Sequence, residues 1–332
     1  MKTYVTPLIL IALSIVSTNL FSQKQENTKG KVFGKLYFDY YTETGAGNNA
    51  SAMEVKRIYF GYKRNINEHL QAIIKLDIGN PLELPTKDHI KRYAYFKNAK
   101  IKYHKDKLTV NVGITDVLMI PVPEKYWGHR YINKAYTDRF KFSPKADIGA
   151  NATYKFNDFF SVDLGIYNGE GYSKLQGDNT FRGGLGLSFM PLKGLLLRSY
   201  FDYAGKDTAR STLALFLGYK YKDKGVFGVE YNYQKNNSFL DKHDIFGYSL
   251  YGTWNFTEKW QFFARFDQFN SNKLTGETTP WDILGNGKAI TTGIQYAVIQ
   301  GVKTSLNFQN WMPEDASQSV RNFIYLNLEV KF

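Results

Sequence analysis

The stretch Phe323-Ile324-Tyr325-Leu326-Asn327-Leu328-Glu329-Val330-Lys331-Phe332 runs in a strict two-residue period. Ile324, Leu326, Leu328, Val330 and Phe332 fall on one face, and Phe323, Tyr325, Asn327, Glu329 and Lys331 on the other. Successive side chains of a strand point to opposite sides, so this is a strand with one apolar and one largely polar face. By itself it fits an edge strand of a soluble sheet as well as a strand of a membrane barrel. What decides is whether the rest of the chain repeats it.

It does. Alternating segments are expected at 32–42, 53–64, 69–79, 91–103, 107–115, 144–156, 160–168, 180–189, 195–204, 211–222, 226–235, 244–256, 259–269, 288–297, 302–311 and 321–332, sixteen in all. Their lengths suit tilted strands, which need ~9–11 residues to cross a bilayer. The connections alternate between short turns, such as Asn157-Asp158 and Thr257-Glu258, and long loops at 43–52, 80–90, 116–143, 169–179, 205–210, 236–243, 270–287 and 312–320. Outer-membrane barrels pair short periplasmic turns with longer external loops, and an even strand count puts both chain ends on the periplasmic side. The expected fold is all-β, a transmembrane antiparallel barrel.

Composition agrees. The mean hydropathy of −0.40 is low, as expected when each strand averages lipid-facing apolar residues with lumen-facing polar ones. Aromatics make up 17% of the chain, and barrels use them as girdles at both membrane surfaces. The chain starts Met1-Lys2-Thr3, and an uncharged run from Tyr4 to Val16 leads to Phe21-Ser22-Gln23. A positive start, a short apolar core and a small exit residue describe a signal peptide. We expect residues 1–22 to be removed on export and 23–332 to form one barrel domain in the outer membrane of a Gram-negative bacterium.

The chain lacks cysteine, which excludes disulfides, thiol catalysis and Cys-bound metal. The five histidines, His69, His89, His104, His129 and His243, show no ligand spacing and no Ser partner, so neither an enzyme nor a metal or other cofactor is expected. The net charge is +13, without a Lys/Arg block or a nucleic-acid module. The partners expected are membrane lipid and small anionic solutes.

Three stretches carry a more specific resemblance: Val110-Asn111-Val112-Gly113-Ile114-Thr115-Asp116, Ser143-Pro144-Lys145-Ala146-Asp147-Ile148-Gly149 and Gly165-Ile166-Tyr167-Asn168-Gly169. With Phe263-Ala264-Arg265-Phe266-Asp267 further on, they resemble the porin O and P family of phosphate-selective outer-membrane porins. The resemblance implies a sixteen-stranded porin that passes anions. It departs at Asp116, where that family tends to place a Lys, so phosphate specificity does not follow as readily as general porin function. Porins are often homotrimers, and that assembly is a further expectation.

A charge facing lipid costs a few kcal/mol at mid-bilayer, so the polar faces must line the lumen. They carry fifteen basic and eight acidic side chains, a surplus of seven. Rings of Arg and Lys select for anions. The wall candidates for an anion pathway are Arg57, Lys75, Lys100, Lys102, Lys145, Arg182, Arg198 and Arg265. Against this, Arg265 with Asp267, Lys145 with Asp147 and Lys75 with Asp77 are same-face neighbours that could simply pair. The longest loop, 116–143, adds Lys125, His129, Arg130, Lys134, Arg139 and Lys141 to its own aromatics. A long loop of this kind is functional or packed on itself. We expect it to fold into the barrel and bring Arg130, Lys134, Arg139 and Lys141 to the narrowest point. The competing reading is a closed structural or secretion-associated barrel whose external loops bind a partner.

Overall fold

In the computed structural model, which describes residues 30–44, 50–79, 93–205 and 207–332, the alternating segments form sixteen strands. The expected signal peptide at 1–22 lies outside the described residues. In the first half the strands are β1 (Lys31–Thr44), β2 (Ser51–Asn65), β3 (Leu70–Gly79), β4 (Ala94–Lys105), β5 (Leu108–Asp116), β6 (Ala146–Lys155), β7 (Phe160–Tyr167) and β8 (Arg182–Leu192). The second half holds β9 (Leu195–Ala204), β10 (Arg210–Tyr221), β11 (Gly225–Lys235), β12 (Ile245–Asn255), β13 (Trp260–Ser271), β14 (Gly287–Ile299), β15 (Val302–Pro313) and β16 (Arg321–Lys331). Every strand pairs antiparallel with its neighbours in sequence, and β1 pairs with β16, so the sheet closes. Closure satisfies the backbone of the edge strands, which lipid could not do. Phe332 supplies the last rung, its carbonyl accepting from the Gly34 N–H at 2.9 Å.

Alternation sets which face is which. Leu185, Leu187, Leu197, Phe201, Leu213, Leu215, Leu217 and Val229 are exposed on the outside. Between them in sequence, Arg198, Tyr200, Asp202, Phe216 and Glu230 are buried inside. The barrel is therefore inverted relative to a soluble protein, with its apolar face toward lipid. Strand ends differ from the sequence expectation by a few residues: β6 starts at Ala146 rather than 144, and β13 runs on to Ser271.

Among the described residues, four register shifts interrupt the ladders, and two of them bring a lysine inward. Between β1 and β2, Tyr37 opposes Arg57 and Phe38 opposes Val55, leaving Lys56 as the extra residue. Between β3 and β4, Lys75 opposes Asn98 and Leu76 opposes Phe96, leaving Lys97 extra. A bulge re-aims the side chain it inserts. Both lysines turn inward, Lys97 to 2% exposure.

The connection from β5 to β6 folds into the lumen. It carries two short helices, α1 (Pro121–Trp127) and α2 (Tyr136–Arg139). Proline at the first turn of α1 gives up no internal hydrogen bond, and Gly128 ends the helix in a left-handed conformation, φ 70°. Trp127, Tyr131, Tyr136 and Phe142 are buried between the loop and the wall. Each such side chain contributes roughly 1.5–3 kcal/mol on burial. Glycine in the wall makes room for them: a Cβ on Gly247 would collide with the Tyr136 hydroxyl, and one on Gly218 would lie 2.5 Å from the Tyr126 ring.

Candidate functional site

The loop is tied chiefly to one side of the barrel. Trp127 packs edge-on against Tyr251 and Phe263, at 5.6 and 6.1 Å between ring centroids. The Tyr251 hydroxyl donates to Pro123 O at 3.0 Å, and the Tyr136 hydroxyl to Gln268 O at 2.7 Å. Gln234 Nε2 donates to Phe142 O at 2.9 Å. Arg265 donates to Lys134 O at 2.6 Å, and Arg139 pairs with Asp267 at 3.1 Å. These anchors lie on β11, β12 and β13. From the opposite wall, the bulge lysine Lys56 donates to Ile132 O at 2.8 Å and pairs with Asp39 at 2.9 Å.

Among the described residues, two water-accessible chambers lie beside the loop. The outer one, about 780 Å³, opens among the long connections and is lined by eight cationic side chains against three carboxylates. The inner one, about 440 Å³, lies toward the short turns between the loop and β1–β5, with six cationic side chains against Asp116 and Glu124. Lys97, Arg130 and Lys145 line both chambers.

These three cations are held in place by carboxylates. Asp77 accepts from Arg57 at 2.8 Å and from Lys97 at 3.0 Å, so two positive charges share one negative. The Lys97 ammonium also sits 4.8 Å from the Tyr59 ring centroid and 5.4 Å from that of Tyr172. Lys145 pairs with Glu124, which also faces Arg130 at 3.6 Å. Asp138 lies 3.4 Å from Arg130 on its other side. Burial alone would raise the Asp138 carboxyl, but Arg130, Lys145 and Lys134 together hold it below the usual range. Burial lowers the Lys145 ammonium, and Glu124 opposes that.

The pathway candidates therefore divide. Arg57, Lys134 and Lys141 line the outer chamber, Lys75 the inner one, and Arg130 and Lys145 both. Lys100 stands beside them, paired with Asp116 at 3.0 Å. Lys102 sits toward the short turn, opposite Asn111. Arg139, Arg182, Arg198 and Arg265 line neither chamber. Arg182 is fully buried with Asp202 and Ser143. Arg198 joins Asp163 to Leu118 O. Arg265 stacks on Trp127 and grips Asp267 behind the loop.

Of the three same-face pairs, only Arg265–Asp267 forms. Asp147 instead accepts the N–H groups of Ile148 and Gly169. Cross-strand and loop partners stand nearer than residues two apart on one strand, which explains the exchange. His129 adds no charge: it lies 4.5 Å from Phe263 between ring centroids, and burial together with the nearby Lys303 ammonium pushes it down to about 3. Lys56 and Lys97 escaped the sequence reading because strict alternation assigns them to lipid. A lysine on an apolar face was the one signal that could have exposed each bulge.

A family model described as "Putative beta-barrel porin-2, OmpL-like" matches residues 131–322, more than half the chain. The match supports an outer-membrane porin and adds no support for the phosphate-selective family that the short motifs resemble. None of the curated proteins compared matches the chain. Among solved structures, the OmpF porin of Salmonella typhi, in complex with daunomycin, is 14% identical, with a TM-score of 0.70 over 92% of this chain and 98% of that one. The outer membrane channel DcaP of Acinetobacter baumannii is 9% identical, with a TM-score of 0.68 over 94% and 100%. The trimer form of OmpT from Vibrio cholerae is 12% identical, with a TM-score of 0.64 over 92% and 100%. Identities this low establish a shared fold.

Proposed function

The chain belongs to the β-barrel porin-2, OmpL-like family, and from that premise we propose that it is a passive, anion-preferring diffusion channel of the outer membrane. The observation that carries the preference is the sharing of Lys97, Arg130 and Lys145 by the two chambers. A solute moving from one chamber to the other passes these cations. In a narrow lumen with low-dielectric walls, a modest surplus of fixed positive charge is focused and favours anions. The loop supplies Arg130 from one side of the passage. The wall supplies Lys97 and, just before β6, Lys145 from the other.

The solutes proposed are small anions, without a special claim for phosphate. Residues 1–22 are proposed to direct export, leaving 23–332 as the membrane domain. A homotrimer is the proposed assembly, by analogy with the trimer form of OmpT.

Single-channel recording in a planar bilayer under a KCl gradient tests the reading. A reversal potential on the chloride side supports it, and one on the potassium side refutes it. No conductance from folded protein would leave the closed barrel with partner-binding loops as the better account. The preference should weaken as salt is raised, because screening shortens the field to ~10 Å at 0.1 M.

A further inference from the structure

The outer chamber has a second cationic side, away from Lys97 and Lys145, whose backbone is unusual. Lys141, Ser238 and Phe239 all line the chamber and all adopt left-handed conformations, with φ of 57°, 55° and 61°. Non-glycine residues rarely do so, and such strain persists only where the surroundings enforce it. A hydrogen-bond chain enforces it here. Gln234 donates to Phe142 O at 2.9 Å and accepts from Asn237 Nδ2 at 2.7 Å, tying the inward loop to the connection after β11. Asn236 Oδ1 accepts from the Lys242 N–H at 2.9 Å, and its Nδ2 donates to Ala209 O at 2.8 Å, next to Arg210.

The result is a fixed platform. The Arg210 guanidinium lies 4.6 Å from the centroid of the Phe239 ring, and its Nε has no hydrogen-bond partner among the described residues. The exposed Lys141 lines the same chamber. Across the chamber, Arg57, Lys97 and Tyr172 converge on Asp77. Two cationic groups therefore face one space of about 780 Å³. That space is in the size range of organic ligand sites, ~300–1,000 Å³, and is far larger than an inorganic oxyanion needs.

We propose that the outer chamber is a recognition site for an elongated organic dianion. One charged end is taken by Arg210 and Lys141 beside the Phe239 ring, and the other by Lys97 and Arg57 beside Tyr172, immediately above the passage. This rests on the anion-channel reading and adds the class of solute. A planar guanidinium over an aromatic ring offers directed donors and a flat apolar surface together. A doubly charged organic molecule uses both ends, while a monoanion or a compact inorganic ion uses one.

The test is block of the chloride current by para-benzenedisulfonate added at the long-loop side, compared with benzenesulfonate and sulfate. Sulfonates stay charged at every pH used, so titration does not enter. The disulfonate should block at a concentration at least roughly tenfold lower than either comparator, the difference one charge-assisted contact makes. Arg210→Gln should bring the disulfonate down to the level of benzenesulfonate. Phe239→Gly, which suits the left-handed backbone and so keeps the fold, should weaken the disulfonate more than sulfate. Equal block by all three ions overturns the proposal, as does disulfonate block that Arg210→Gln leaves unaltered. The reversal potential from the same membranes separates the two failures: potassium preference defeats the channel reading itself, whereas chloride preference with equal block defeats only the dianion site.

Discussion

Replacing His129 with Phe should remove the His129 share of an acid-induced release of the inward loop. His129 is 2% exposed, lies 4.5 Å from Phe263 and 5.1 Å from Trp127 between ring centroids, and neither ring nitrogen has a partner among the described residues. Its docked pKa is pushed down from 6.5 to about 3. A released loop would expose the ring to water and restore the ordinary value. The released state then binds a proton first, so docking is at full strength above pH 6.5 and weakens as pH falls toward 3. With 1.36 kcal/mol per unit, linkage takes about 2 kcal/mol from loop docking by pH 5 and about 3 kcal/mol by pH 4. Phe carries no proton and fills the same apolar contact, so H129F should lose none of this. It should also be close to neutral at pH 7, because Phe keeps the ring volume and the apolar contacts. The assay is single-channel conductance and its noise from pH 7 to pH 4, wild type beside H129F. Other titrating groups act on both proteins and cancel in the difference. Identical pH profiles would refute the reasoning, and so would an acid transition in the mutant displaced to higher pH.

Deleting Val122–Tyr136 should raise single-channel current and lower anion preference together, since the segment contains Arg130 and most of the lumen-filling aromatics. If both stay unchanged in a folded barrel, the loop does not set the passage. Lys97→Glu should move the reversal potential further toward potassium than Lys102→Glu, because Lys97, unlike Lys102, lines both chambers; an equal shift would count against the proposed passage. Gly247→Ala should crowd both the Gln268 carbonyl and the Tyr136 hydroxyl that donates to it, costing about 1–3 kcal/mol as overpacking does and loosening the loop. Greater susceptibility of the loop to protease would register it. Mass spectrometry of the exported protein should find Gln23 at its amino terminus, and an intact Met1 would exclude the proposed signal peptide.

The sequence by itself determined the barrel. Two-residue alternation is local, each strand carries it independently, and in lipid a closed sheet is the only structure that satisfies such strands. Short turns and long loops in alternation then gave the strand number, and the length and aromatic content of 116–143 marked it as the segment able to enter the lumen. The positions of the working charges were not legible in this way. Lys56 and Lys97 face inward because each strand bears one residue more than its partner at that point, and only the pairing of two distant segments defines a bulge. Arg182, Arg198 and Arg265 are on the inward face, as alternation requires, yet they brace the wall and the loop because Asp202, Asp163 and Asp267 lie within reach. Which carboxylate a cation meets, and which side of the barrel the loop leaves open, depend on contacts between residues far apart in the chain. Tertiary structure alone decides those, because a side chain's period records its face and carries no information about its partner.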